Sequence, residues 1–334
     1  MKHLLYIGNK LAQHGITETT IETLGPLLEN EGYKVIYAST KKNEYVRMLH
    51  MLLSVLQNRK SDYVIIDTYS TSSFWYAFAT SQLCRLLGKK YIPFLHGGNL
   101  PRRLTKNPEI CKMIFQHSYY NVAPSHYLLE AFRKHYTNVL YIPNVIEIRQ
   151  YPYKERNNPQ PKILWVRSFA KIYNPAMAVE VLDAIKKTYP LAVLCMVGPD
   201  KDGSLFLTQK MAHDKKLDIV FTGKLSKKAW TKLAQEYDIF INTTHFDNMP
   251  VSVIEAMALG MAIVSTNVGG IPFLLEHEGN AILVADKDTH GMVSGIQKLL
   301  EKPELYKKLT SGARTKAESF DWKMVKENWL KILQ

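Results

Sequence analysis

Short apolar runs alternate with helix-length segments along the whole chain, and that alternation constrains the fold more than any other feature. Residues 3–8, 33–38, 63–67, 91–96, 121–124 and 139–143 are mostly apolar on both faces. Strands of a parallel sheet covered on each side by helices have this character. The spacing predicts a first helix over residues 17–31, closed by Gly32 and kinked or split at Gly25-Pro26. Residues 145–161 are polar and Pro-rich and read as an interdomain linker. The alternation then restarts with a strand at 163–166 and a helix with Asn174 as N-cap and Pro175 in its first turn. Strands follow at 191–197, 218–221, 239–242, 262–265 and 281–284, with a closing amphipathic helix at 321–333. A length of 334 residues accommodates two domains. The prediction is two doubly wound α/β domains of similar size.

Composition narrows the function classes. Hydrophobic residues make up 46% and charged residues 22%, as in folded chains, which excludes a disordered protein. No segment reaches the ~18 uninterrupted apolar residues of a membrane span. The N-terminal apolar run is too short for a signal-peptide core. Cys84, Cys111 and Cys195 lie far apart, which argues against a disulfide framework or structural zinc and for a reducing cytoplasm. Net charge is +13, of which residues 1–150 carry +8. Such a surplus favours anionic partners: nucleic acid, nucleotide phosphates or an acidic membrane surface. Residues 45–56, flanked by Arg59 and Lys60, read as a well-buried helix of the first domain. The sharper alternative is a helix that touches membrane lipid.

Familiar signatures are missing: the chain has no G-x-G-x-x-G after a strand, no G-x-x-x-x-G-K-[ST], no H-E-x-x-H and no G-x-S-x-G. Two D-x-D matches, Asp200-Lys201-Asp202 and Asp286-Lys287-Asp288, fall in turn-like stretches and read as structural. The richest segment is 239–284. A strand there runs into a loop bearing Asp247, a helix starts near Val251, and a turn at Val268-Gly269-Gly270-Ile271-Pro272 follows the next strand. In open α/β sheets ligands bind beyond the carboxyl ends of the strands. A helix N-terminus offers an anion free N–H groups and positive partial charge. Asp247 and Glu255 then fall along one rim of the same pocket, suited to accept hydrogen bonds from sugar or ribose hydroxyls. Gly269 and Gly270 would let backbone approach a ligand closely.

The run from Asp247 to Gly260, with Glu255 eight residues after Asp247, then Val268-Gly269-Gly270-Ile271-Pro272, resembles the retaining glycosyltransferases of family 4, which have the GT-B fold. Their signature is two acids separated by seven residues, then A-M-A-x-G and V-G-G-I-P. The first acid is usually Glu, and Asp247 is one methylene shorter. Arg167 and Lys171 resemble the family's pair that grips the donor diphosphate, here with a gap one residue shorter. Ala123-Pro124-Ser125-His126-Tyr127-Leu128 and Ile142-Pro143-Asn144-Val145-Ile146-Glu147 resemble its structural landmarks. His96, before Gly97-Gly98, falls where the family carries a histidine expected to contact the donor sugar. His14-Gly15 lies in the first loop, whose glycine approaches the diphosphate and acceptor.

The resemblance implies a GT-B fold of two doubly wound Rossmann-like domains facing a central cleft. Residues 1–147 form the acceptor side, 148–161 a linker and 162–318 the donor-binding domain, while 319–334 form a helix crossing back to the first domain. It implies transfer of a sugar from a nucleotide diphosphate-sugar to a glycan or lipid-linked hydroxyl, in cell-envelope polysaccharide or glycolipid synthesis. Glu255 would hold the ribose, Asp247 the donor sugar, and Arg167 with Lys171 the leaving diphosphate. Asn248, Met249, Val251, Ser252, Gly15, Gly269 and Gly270 would border the donor. No metal or other cofactor is expected, because fixed cations and a helix dipole serve instead. The expected location is the cytoplasm, peripheral on the inner face of an anionic membrane. The alternatives are a nucleotide-sugar epimerase on the same fold, a non-catalytic nucleotide-sugar binder, and a nucleic-acid binder. The last lacks any aromatic-and-basic cluster, so nucleic acid is not an expected partner.

Overall fold

The computed structural model describes every residue except Thr17. The predicted helix start at Thr17 therefore lies outside the described residues, and the helix runs Thr20–Asn30. The chain divides into two compact units, Met1–Val145 with Val325–Gln334, and Ile146–Met324. Residues 148–161 fall within the second unit rather than standing apart from it.

The first unit contains strands β1 (His3–Ile7), β2 (Lys34–Ala38), β3 (Tyr63–Thr68), β4 (Lys90–Leu95), β5 (Asn121–Ala123) and β6 (Val139–Tyr141). They form one parallel sheet in the order β2-β1-β3-β4-β5-β6. The second contains β7 (Lys162–Val166), β8 (Val193–Val197), β9 (Ile219–Gly223), β10 (Ile239–Asn242), β11 (Ala262–Thr266) and β12 (Ile282–Val284). Its parallel order is β12-β11-β10-β7-β8-β9. Counted within the unit this is the 3-2-1-4-5-6 dinucleotide-fold order, whereas the first sheet has the 2-1-3-4-5 type. Strand order therefore reverses between β1 and β3 in one unit and between β7 and β10 in the other.

Alternating strand residues enter different cores. In the second unit Ile163, Trp165, Ile239 and Ile241 join one buried cluster, while Leu164, Phe240 and Ile263 join another. Both faces of the sheet are thus covered, which explains strands that are apolar throughout.

Three local expectations change. The first helix is not split at Pro26: it buries Ile21, Leu24, Leu27 and Leu28. Each such side chain contributes about 1.5–3 kcal/mol, which together outweighs the roughly 3 kcal/mol cost of an interior proline. Gly32 does close that helix at φ +90°, its N–H bonding the Glu29 carbonyl and that of Tyr33 the Leu28 carbonyl. Asn174 precedes the helix Pro175–Ile185, but its side chain makes no cap; it adopts the left-handed conformation that Asn tolerates. The helix Glu44–Gln57 is amphipathic rather than buried all round. Arg47, Ser54, Met51 and Val55 face inward, while Tyr45, Val46, Leu49 and Leu53 are exposed. The Arg47 guanidinium satisfies the Lys41 and Lys42 carbonyls at 3.0 and 2.9 Å, which draws a charged residue inside.

Candidate active site

The loops beyond the carboxyl ends of β7 and β10 meet where the strand order reverses. Thr243 donates its hydroxyl toward the Tyr173 and Asn174 carbonyls, both at 2.9 Å, and accepts from Trp165 Nε1 at 3.0 Å. The His245 N–H reaches the Ile172 carbonyl at 2.8 Å, and Thr266 Oγ1 donates to the Thr244 carbonyl at 2.6 Å. These bonds fix the segment carrying Asp247 against the segment carrying Arg167.

Arg167 follows β7 directly and pairs with the Asp247 carboxylate. Its guanidinium lies 4.5 Å from the centre of the Tyr173 ring. Burial presses Arg167 below its usual pKa, and the charges of Tyr173 and Glu255 push it back up. One cation therefore lies within electrostatic reach of both predicted acids. Arg167 Nε and Ser252 Oγ are buried without a hydrogen-bond partner. Two donors of this kind suit an anionic or hydroxyl-rich ligand.

Glu255 lies in the helix Val251–Ala258 and is 5% exposed. Its Oε1 accepts from Tyr151 Oη at 2.6 Å and faces Lys227 Nζ at 3.3 Å. A buried carboxylate needs such partners to stay charged. No side chain caps this helix: Pro250 occupies the N-cap position, so the first-turn N–H groups at Val251 and Ser252 are not served by a capping residue.

The structure pairs Arg167 with Asp247, and the charge of Glu255, held by Tyr151 and Lys227, reaches Arg167. Lys171 is placed differently. It opens the one-turn 3-10 helix Lys171–Tyr173, is exposed, and its N–H bonds Asp202 Oδ2 at 2.9 Å. Asp202 is held below the usual carboxylate range by the Ser204 hydroxyl first, then by that backbone bond. The two D-x-D segments are turn-forming: Asp202 and Asp200 bond the start of the helix Ser204–Asp214, and Asp288 caps the helix Thr289–Glu301 through the Gly291 N–H. Among the described residues no cluster of three or more His, Cys, Asp or Glu could hold a metal ion.

Other residues expected to border the donor also make contacts within the chain. Met249 is buried in the core cluster beneath the site, and Val251 packs against that cluster. Asn248 is buried, and its N–H bonds the Asp247 carboxylate at 2.8 Å. A Cβ at Gly269 or Gly270 would strike the Asp247 or Asn248 carbonyl. Their small size lets the turn press against the chain's own Asp247 loop, where the Gly270 N–H bonds the Asp247 carbonyl at 2.8 Å.

In the first unit His96 follows β4, with Nε2 at 3.0 Å from Asp67 Oδ1. Tyr6 Oη donates to the same oxygen at 3.1 Å, and the rings of Phe94 and Tyr69 flank the imidazole at 4.2 and 5.4 Å. Burial first, then the Asp67 charge, lifts the Tyr6 pKa well above its usual value. Gly15, at φ +78°, closes the 3-10 turn Ala12–His14, and His14 Nε2 lies 2.8 Å from the Thr40 carbonyl. Tyr151, Lys227, Tyr173 and Asp67 were not foreseen: Tyr173 lies within the Arg167–Pro175 segment but was given no role there, and the other three come from segments with no local motif.

Comparison with known proteins agrees with this architecture. The fold matches sucrose-phosphate synthase from Thermosynechococcus elongatus with a TM-score of 0.82 at 14% identity, over 99% of this chain and 98% of that one. It matches HepE of Anabaena, solved with UDP and glucose, with a TM-score of 0.80 at 15% identity, over 100% and 99%. The two sheets thus form the GT-B fold. Residues 149–316 match the glycosyl transferases group 1, and the chain belongs to that family. An uncharacterized glycosyltransferase of Haemophilus influenzae is 27% identical over 156 residues, 46% of this chain and 44% of its own length. The chain spans less than half the length of the curated relatives it matches.

Proposed function

We propose that this glycosyltransferase is a retaining enzyme of family 4 that transfers a sugar from a nucleotide diphosphate-sugar to a hydroxyl acceptor in cell-envelope polysaccharide or glycolipid synthesis. The observation that carries the proposal is Arg167 paired with Asp247 and within reach of Glu255 where the second sheet reverses order. HepE, of the same fold, is described in complex with UDP and glucose, which supports a nucleotide-sugar donor here. Glu255 takes the ribose hydroxyls and Asp247 those of the donor sugar. Arg167 turns to the diphosphate and offsets the charge that develops as it leaves, with the start of the helix Val251–Ala258 adding partial positive charge. Lys171 is the second proposed diphosphate ligand, through rotation of its exposed side chain. These groups carry the charge stabilisation without a divalent ion. In the first unit the His96 imidazole, held by Asp67, is the proposed hydrogen-bonding group for a sugar hydroxyl. The enzyme acts in the cytoplasm, and the exposed stripe on the helix Glu44–Gln57 rests on an anionic membrane.

The test is incubation with UDP-glucose, UDP-N-acetylglucosamine, GDP-mannose and ADP-glucose in EDTA together with an alkyl-glycoside hydroxyl acceptor, with nucleotide release measured and the anomeric configuration of the glycosylated acceptor read by NMR. One α-linked donor should give an α-linked product, and Glu255→Gln should cut turnover by about 100-fold, some 2.7 kcal/mol of transition-state stabilisation, while the protein still folds. Normal turnover by the variant, or a β product, contradicts the assignment.

A further inference from the structure

We propose that Tyr151, aided by Lys227, is a positioning residue that presets the Glu255 carboxylate for a ribose. The inference rests on the proposed role of Glu255 as the ribose ligand.

Tyr151 is 1% exposed and belongs to the apolar cluster beneath the helix that carries Glu255. It comes from the polar, Pro-rich stretch ahead of β7, directly after the one-turn 3-10 helix Ile148–Gln150, whose Ile148 carbonyl accepts its N–H. Its hydroxyl ends on Glu255 Oε1 at 2.6 Å. Lys227 opens the helix Lys227–Ala234, and its Nζ lies 3.3 Å from the same oxygen and 6.0 Å from the centre of the Tyr151 ring. Two donors from separate segments thus converge on one carboxylate oxygen.

A glutamate that rotates freely loses that freedom when a ligand orders it, and the loss weakens binding. A glutamate already held by two donors is ordered before the ligand arrives. The Tyr151 ring supplies packing, and phenylalanine fills nearly the same volume. The hydroxyl is therefore separable from the fold, and its effect should depend on the ligand's own hydroxyls.

Calorimetric titration of the full chain with UDP, GDP and ADP, and with their 2′,3′-dideoxy forms, makes the test. The readout is the ratio of ribonucleotide to dideoxynucleotide affinity, in which diphosphate contacts cancel. Wild type should favour the ribonucleotide. Tyr151→Phe should lower that ratio about tenfold by weakening the ribonucleotide alone, as loss of a hydrogen bond to a charged group does. An unchanged ratio, or equal weakening of both forms, overturns the proposal. Should Tyr151→Phe fail to fold, Lys227→Met at the rim decides by the same ratio: a fall supports the proposal and a wild-type ratio overturns it. Glu255→Gln separates the two levels. A wild-type ratio in that variant overturns the ribose assignment itself. A collapsed ratio there with an unchanged one in Tyr151→Phe overturns only the positioning role. Binding of none of the three ribonucleotides overturns both.

Discussion

Asp67 has no exposed surface, yet it carries a carboxylate. Tyr6 Oη and His96 Nε2 converge on its Oδ1, and Tyr76 Oη donates to its backbone carbonyl at 2.8 Å. A buried polar group costs least when hydrogen-bonded in this way. Asp67→Ala strands the Tyr6 hydroxyl and the His96 nitrogen, each loss costing about 1–3 kcal/mol. A urea melt of the full chain should show an unfolding free energy lower by about 2–6 kcal/mol, read as a fall in the midpoint, and an unchanged midpoint contradicts this account of the cluster. Residues such as Asp247 and Glu255 were legible because their spacing is local, within one loop and the helix it starts. Asp67, Tyr151 and Lys227 act through partners distant in sequence, and a lone tyrosine in a Pro-rich stretch carries no periodic signal. Met249, inside the motif, is also buried in the core cluster, which its place in the motif did not show.

Elements were easier to locate than to orient. The helix Glu44–Gln57 was visible from its apolar content, but residue type alone placed the leucines inward. In the structure Arg47 is drawn inside by two backbone carbonyls, and Leu49 and Leu53 are 58% and 43% exposed. Tyr45, Val46, Leu49 and Leu53 line one side, near Lys41 and Lys42. An apolar stripe beside basic residues suits an anionic interface. Co-sedimentation with phosphatidylglycerol vesicles should pellet the protein at low salt and release it at high salt, with Leu49→Ser plus Leu53→Ser weakening the association. No pelleting at low salt contradicts the membrane proposal. The segment 148–161 gives a similar lesson. Its polarity suggested an interdomain linker, yet Arg156 is buried, meets Asp238 Oδ1 at 3.0 Å, and bonds the Tyr237, Lys154, Leu259, Gly260 and Ala234 carbonyls. Arginine in a polar stretch gives no sign of such tethering.

At the scale of the molecule, the alternation of elements showed two parallel sheets, but not strand order, because the choice of neighbour across a crossover is not written locally. The first sheet accordingly differs in order from the second. Burial also sets the response to alkali. It pushes Cys84 and Cys111 up to about 12 and about 11, and Tyr136 and Tyr141 each up to about 12. Unfolded thiols and phenols ionise near pH 8.5 and 10. Above about pH 8 the unfolded chain therefore holds fewer protons than the folded one. The stabilisation is complete below that value and is lost as pH rises toward 12. Thermal midpoints should fall steadily between pH 9 and 11.5, and a flat profile contradicts this picture of buried acids.

The central claim, a nucleoside diphosphate site built on Arg167, Asp247 and Glu255, is tested most directly by thermal shift in EDTA with UDP, GDP, ADP, dTDP and CMP. A ligand at 100 times its Kd stabilises the folded state by about 2.7 kcal/mol. The account predicts that one diphosphate raises the midpoint without metal and that Arg167→Ala abolishes the shift. No shift from any nucleotide, or an undiminished shift in that variant, would contradict it.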